Sequence, residues 1–154
     1  MASKIVAASI DDLDGLAQLF NEYRQFYHQS DDLQRARDFI ETRLHTQDAY
    51  IIIAKDKQGM ALGFALFYQS FSSIRTQPVL LLNDVYVTQH ARCVGIGREL
   101  VAWVKQYAVD HHFAYVSLET HKTNLKAQGL YQALGFEKDG EFFTYVLDVE
   151  AMLK

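Results

Sequence analysis

The 154-residue chain carries 15 basic and 19 acidic side chains, a net charge of −4, and is 49% hydrophobic. That length suits one compact domain, 1–154, able to fold without disulfide or metal, and the composition excludes a disordered chain. The acidic balance argues against a nucleic-acid partner and no apolar run approaches the roughly 20 residues of a membrane helix, so neither nucleic acid nor membrane is expected.

Ile5 to Ala8 reads as a first strand. Asp11-Asp12 offers an N-cap to a helix whose apolar residues, Leu13, Leu16, Ala17, Phe20, Tyr23 and Tyr27, recur at helical spacing. A second helix is predicted after Ser30-Asp31-Asp32, with Leu33, Ala36, Phe39, Ile40 and Leu44 as its stripe. Tyr50 to Ala54 and Ala61 to Tyr68 read as a hairpin around Asp56-Lys57-Gln58-Gly59. Pro78 leads into Val79 to Val87, a nearly continuous apolar run expected to be a strand covered on both faces. A connection, Thr88 to Val94, precedes a helix from Gly95 to about Asp110, with Leu100, Val101, Val104 and Ala108 on one side. Tyr115 to Leu118 is a strand, Asn124 to Leu134 a helix stopped by Gly135, and Phe142 to Leu147 a closing strand. The order predicts a mixed α/β sheet with helices on both faces. Cys93 stands alone, which leaves no internal disulfide and fits a reducing, cytoplasmic compartment. Met1-Ala2-Ser3-Lys4 has no apolar stretch behind it, so no secretory leader is expected.

The informative segment is Asn83-Asp84-Val85-Tyr86-Val87, the connection, then Arg92-Cys93-Val94-Gly95-Ile96-Gly97-Arg98. A helix start leaves backbone N–H groups unpaired, its dipole favours anions, and glycines let that backbone approach a phosphate. Arg92 and Arg98 add positive charge on either side. A dinucleotide fingerprint fails because Leu100 stands where its third glycine belongs, and a Walker loop fails because Arg98-Glu99 follows Gly97. A plain tight turn into a helix remains open for Gly-x-Gly alone.

Arg92-x-x-Gly95-x-Gly97 resembles the Gln/Arg-x-x-Gly-x-Gly/Ala motif of the GNAT superfamily of N-acetyltransferases. Leu82 to Val87 is similar to that family's fourth strand. Leu118-Glu119-Thr120, Asn124 and Leu130-Tyr131-x-x-Leu134-Gly135-Phe136 resemble its later cofactor motif. The departure is Cys93-Val94, where a basic residue or glycine is commoner, and it leaves the backbone role intact. The wording around Tyr23 to Leu44, Phe71-Ser72-Ser73 and Glu141 to Tyr145 is similar to a subgroup often labelled histone-acetyltransferase-like.

The resemblance implies a single-domain acyl-CoA N-acyltransferase fold whose strands splay near Asp84 to Val87 so that acetyl-CoA enters between them. It implies transfer of the acetyl group to a primary amine on a small molecule, polyamine, amino acid or peptide lysine, and by analogy a homodimer. The backbone of Val85, Tyr86 and Val87 would hold the pantetheine arm and acetyl carbonyl, and Arg92 to Arg98 the pyrophosphate. Asn124 would face the pantetheine or cap its helix. Tyr131 is the candidate general acid, donating to the leaving sulfur, or an aromatic packed under the Gly135 turn. Asp84 and Glu119 are the candidate bases, with a water chain as the third route. Tyr27, Tyr68 and Phe71 are the candidate acceptor contacts, from the first helices and the segment after the third strand. His111-His112 and His121 lack ligand spacing, so no metal is expected. A non-catalytic acyl-CoA sensor is the competing reading; it would need the turn but no acid.

Overall fold

A computed structural model describes residues 3–154; Met1 and Ala2, part of the segment read above for a leader, lie outside it. Contacts gather into two compact units, the first ending at His121 and the second Lys122–Lys154. The first holds a five-stranded sheet in sequence order, β1 (Lys4–Ala7), β2 (Tyr50–Lys55), β3 (Ala61–Ser72), β4 (Gln77–Val87) and β5 (Val116–Leu118). The first four are antiparallel and β5 pairs parallel with β4, which makes the sheet mixed as expected.

Helices α1 (Leu13–Phe26) and α2 (Leu33–Thr46) pack on one face, where Leu16, Phe20, Ala36 and Ile40 meet Ile51, Ile53, Phe64 and Leu66 in one buried cluster. Helix α3 (Ile96–Asp110) covers the opposite face, burying the predicted Leu100, Val101, Val104 and Ala108 together with Ile96. Phe67 points to that face, 6.5 Å from the Trp103 ring and 5.8 Å from Tyr107.

Local chemistry places the helix boundaries. Asp32 caps α2 by accepting a 3.1 Å bond from the Arg35 N–H, as the sequence suggested. The predicted Asp11-Asp12 cap of α1 works otherwise. Asp12 occupies the N-cap position without bonding the helix; its carboxylate accepts from the Ser9 N–H at 2.9 Å and pairs with Lys55. Ser9 instead caps a short 3-10 turn, Ile10–Asp12, that leads into α1.

Two expectations need correction. The segment from Tyr68 to Ser73 was read as following the third strand, but β3 continues to Ser72 and pairs with Gln77–Leu81. A ladder only requires a partner strand, and Leu80 and Val79 supply one to Gln69 and Ser70. Phe142 to Leu147, read as a closing strand, forms no strand among the described residues; α5 (Val149–Met152) follows instead. Aromatic and β-branched side chains favour a strand there, but a strand exists only where another backbone accepts its hydrogen bonds. In the second unit α4 (Leu125–Ala133) forms as predicted, and Gly135 follows it at φ 98°.

Among the described residues no helix is long and apolar enough to cross a membrane. No group of three or more His, Cys, Asp or Glu among them could hold a metal ion.

Gly63 fixes how closely β3 meets β4. A Cβ there would lie 2.7 Å from the Tyr86 carbonyl oxygen and 3.4 Å from a Leu100 methyl. Neither the ladder nor the α3 contact can yield cheaply. Gly63→Ala should therefore cost about 1–3 kcal/mol, a fall of roughly 3–10 °C in Tm, read by thermal unfolding; an unchanged Tm would show that the strands separate freely.

Candidate active site

The site is organised by one irregularity in β4. Leu66 pairs with Asp84 but Phe67 pairs with Leu82, so Asn83 is an extra residue, a β-bulge. Before it, Leu82 shares the α3 face with Phe67. Beyond it Asp84, opposite Leu66, turns to the α1 face, followed by Tyr86 and Thr88 at period two.

The same bulge marks where β4 loses a neighbour. β5 pairs with Leu80, Leu81 and Leu82, and with no residue of β4 beyond them among the described residues. The Thr88 N–H bonds to the Leu62 carbonyl at 2.9 Å, so alternate residues there face β3. The backbone groups of Val85 and Val87 consequently point to the other side, where no strand among the described residues covers them. An extended chain bearing amide groups fits that edge. The arrangement has the form of the expected splay.

Past the strand, a 3-10 turn (Gln89–Ala91) leads to exposed Arg92, Cys93 and Val94. Cys93 sits at φ 67° and Gly95 at φ 91°, two left-handed residues that fold the loop back into α3. Gly95 is the N-cap, and its carbonyl accepts the first helical bond from the Glu99 N–H at 3.0 Å. The N–H groups of Ile96, Gly97 and Arg98 precede that bond, so no intrahelical acceptor serves them. A helix start bordered by Arg92 and Arg98 fits the phosphates of coenzyme A. The Arg92 Nε donates to the Val87 carbonyl at 2.9 Å. Its guanidinium lies 5.4 Å from the Tyr86 ring centre and 5.9 Å from Phe26.

On the α1 face, Asp84 is 8% exposed. Its Oδ1 accepts from the Tyr23 hydroxyl at 2.6 Å and its Oδ2 from Asn83 Nδ2 at 3.0 Å. Burial raises the Tyr68 phenol pKa, and the Asp84 charge adds to the rise. Tyr27, half exposed, meets Tyr23 edge-on with ring centres 5.0 Å apart. Structure thus brings Asp84, Tyr68 and Tyr27 into one neighbourhood with Tyr23. Phe71 stands apart: it pairs with Pro78, five residues along β3 from Leu66, about 16 Å away, and is 71% exposed. Glu119 is exposed just beyond the end of β5.

Within the second unit, Asn124 caps α4, accepting from the Ala127 N–H at 3.1 Å. The Tyr131 ring lies 5.9 Å from Phe136, edge to face, and the Tyr131 carbonyl accepts the Phe136 N–H. Both local contacts were among the alternatives left open by the sequence.

The sequence reading missed Glu22. Its Oε1 accepts from the Tyr86 hydroxyl at 3.0 Å and the Thr88 hydroxyl at 2.9 Å. Glu22 also borders a cleft of about 470 Å³ between α1, the β2–β3 turn and the end of β4, with Gln18, Met60, Thr88 and His90. The one available signal was the alternation Asp84, Tyr86, Thr88, three polar groups on one face of an apolar run.

Residues 13–136 match the family model described as the acetyltransferase (GNAT) family. The chain is 39% identical over 144 residues to the uncharacterized N-acetyltransferase YhfO of Bacillus subtilis (strain 168), spanning 94% of this chain and 96% of that protein. It is 30% identical over 133 residues to the thialysine N-epsilon-acetyltransferase of Bos taurus, 80% of this chain and 78% of that one. A crystal structure of a probable acetyltransferase superposes with a TM-score of 0.89 at 37% identity, covering 94% of this chain and 97% of that one. The chain therefore belongs to the GNAT family, as an acetyl-CoA-dependent N-acetyltransferase. These likenesses do not single out the histone-acetyltransferase-like subgroup.

The loop geometry generates a prediction. At φ 91° a β-branched side chain is strained by about 1–3 kcal/mol, so Gly95→Val should reshape the helix start and weaken coenzyme A binding about tenfold or more. Calorimetric titration checks this; an unaltered Kd would show that the turn takes no part in binding.

Proposed function

We propose that the chain acetylates a primary amine on a small cationic acceptor, a side-chain amine, an amino acid or a polyamine, seated against Asp84 on the α1 face of the sheet. The Asp84 carboxylate carries this reading. It is 8% exposed and bordered by the phenols of Tyr23 and Tyr68, with Tyr27 beyond Tyr23. A carboxylate among aromatic rings attracts an ammonium group twice, through its charge and through the ring faces. The bovine relative is named for an N-epsilon acceptor, which supports a side-chain amine. Tyr27 and Tyr68 are the acceptor contacts in this proposal, and Phe71 is not.

Acetyl-CoA, when bound, supplies an acyl carbon activated as a thioester. The outward backbone N–H groups of Val85 and Val87 position the thioester carbonyl and the chain attached to it. The first turn of α3 and the loop from Arg92 hold the phosphates. Asp84 takes a proton from the ammonium group so that the neutral amine can attack; Glu119, or water, provides the route if Asp84 only binds the charge. Tyr131 donates its phenolic proton to the sulfur as the C–S bond breaks, and the proton that the nitrogen sheds as the amide forms restores the phenol, a role suited to a group with an ordinary pKa of about 10. Asn124 retains its capping bond and offers its amide to the pantetheine.

The test is a thiol-release assay with acetyl-CoA and a panel of lysine analogues, amino acids and polyamines. Asp84→Asn should lower kcat/KM for the preferred amine by about a hundredfold or more while Kd for acetyl-CoA is unchanged. Wild-type turnover by that variant would remove the carboxylate from the mechanism. A neutral acceptor preferred over every cationic one would contradict the substrate class.

A further inference from the structure

The Arg92 side chain is held from α1 at two points one turn apart. Phe26 contributes a ring 5.9 Å from the guanidinium. Glu22, four residues earlier on the same helix face, holds the Tyr86 hydroxyl, and the Tyr86 ring lies under the same guanidinium at 5.4 Å. The Arg92 Nε then closes the circuit on the Val87 carbonyl, next to Tyr86 in β4. Thr88 adds a second hydroxyl to the same Glu22 oxygen, fixing the strand end from which the loop departs.

We infer that Glu22 is a positioning residue for the cofactor loop: through Tyr86 it sets the place of the Arg92 guanidinium, so that α1, the helix of the acceptor side, also sets the affinity for coenzyme A. The inference rests on reading Arg92–Gly97 as the cofactor loop. Its physics is ordinary. A charged acceptor holds a hydroxyl about twice as strongly as a neutral one, which pins the phenol in one rotamer. A phenol donating to a carboxylate is also more electron-rich, which strengthens its attraction for the cation over its face. Burial raises the Tyr86 pKa, the Glu22 hydrogen bond raises it further and the Arg92 guanidinium only partly offsets the rise, so the phenol keeps the proton it donates. An unfixed Arg92 would lose rotamer freedom on meeting a phosphate, and prior fixation removes that cost. Because both paths from Glu22, Tyr86 under the guanidinium and Thr88 beside the Val87 carbonyl, end on Arg92, its effect should vanish when Arg92 is absent.

A double-mutant cycle measures this, with Kd for coenzyme A from calorimetry and Tm from thermal unfolding. Glu22→Ala should weaken coenzyme A binding about fivefold, the scale of one positioning hydrogen bond, and Tyr86→Phe, which keeps the ring and loses the hydroxyl, should do the same. Glu22→Gln retains an acceptor oxygen and should restore most of the affinity. In an Arg92→Ala background, Glu22→Ala should change Kd no further while still lowering Tm, which separates positioning from general support of the fold. Equal weakening by Glu22→Ala in both backgrounds, or none beside a weak-binding Arg92→Ala, overturns the inference and leaves the cofactor loop standing. An Arg92→Ala protein that binds coenzyme A like the wild type overturns the loop reading itself, and the inference with it.

Discussion

Everything at the site depends on β4 having two strand neighbours up to Leu82 and one beyond Asp84. A backbone in the interior of a sheet spends every N–H and C=O on its neighbours. Freed of β5, Val85 and Val87 keep their N–H groups available along an edge that is nevertheless rigid, because β3 still holds Tyr86 and Thr88 from behind and Arg92 Nε holds the Val87 carbonyl. That combination, a fixed strand with one open edge, suits the binding of an extended molecule bearing amide groups. Gly63 keeps the supporting strand close at the level of Val87, since any side chain there would meet the Tyr86 carbonyl.

The Asn83 bulge does a second thing. By adding one residue it turns the following side chains over, so Asp84, Tyr86 and Thr88 face α1 in place of α3. Polar groups so placed need partners, and α1 supplies them: Tyr23 for Asp84, Glu22 for Tyr86 and Thr88. The open backbone edge and the polar surface turned toward α1 are therefore two aspects of the same five residues. Arg92, folded onto Tyr86 and Phe26, extends the connection to the loop at the start of α3.

How much of this was legible in the sequence follows the range of the interaction concerned. The loop at Arg92–Gly97 could be read because its demands are local: a left-handed residue at Gly95, then a helix start with spare N–H groups. Asp32 as a helix cap was legible for the same reason. The bulge was not, because register belongs to two strands, and Asn83 looks like any residue of β4 until Leu66 and Phe67 are set beside it. Glu22 was not, because its hydroxyl partners lie 64 and 66 residues away. Phe142 to Leu147 shows the opposite error, propensity read as structure with no partner strand to receive it. The length of β3 was not legible either, because where a strand ends is set by its partner: the backbones of Gln69 and Ser70 pair with Leu80 and Val79.

Amide hydrogen exchange, with and without coenzyme A, tests the central claim most directly. If β4 beyond the bulge and the start of α3 together receive the cofactor, the N–H groups of Val85, Val87, Ile96 and Gly97 should exchange readily in the protein alone and become protected on binding. Those of Tyr86 and Thr88, which face β3, should be protected in both states. Binding that leaves Val85 and Val87 unprotected, or protection already complete without ligand, would contradict the account.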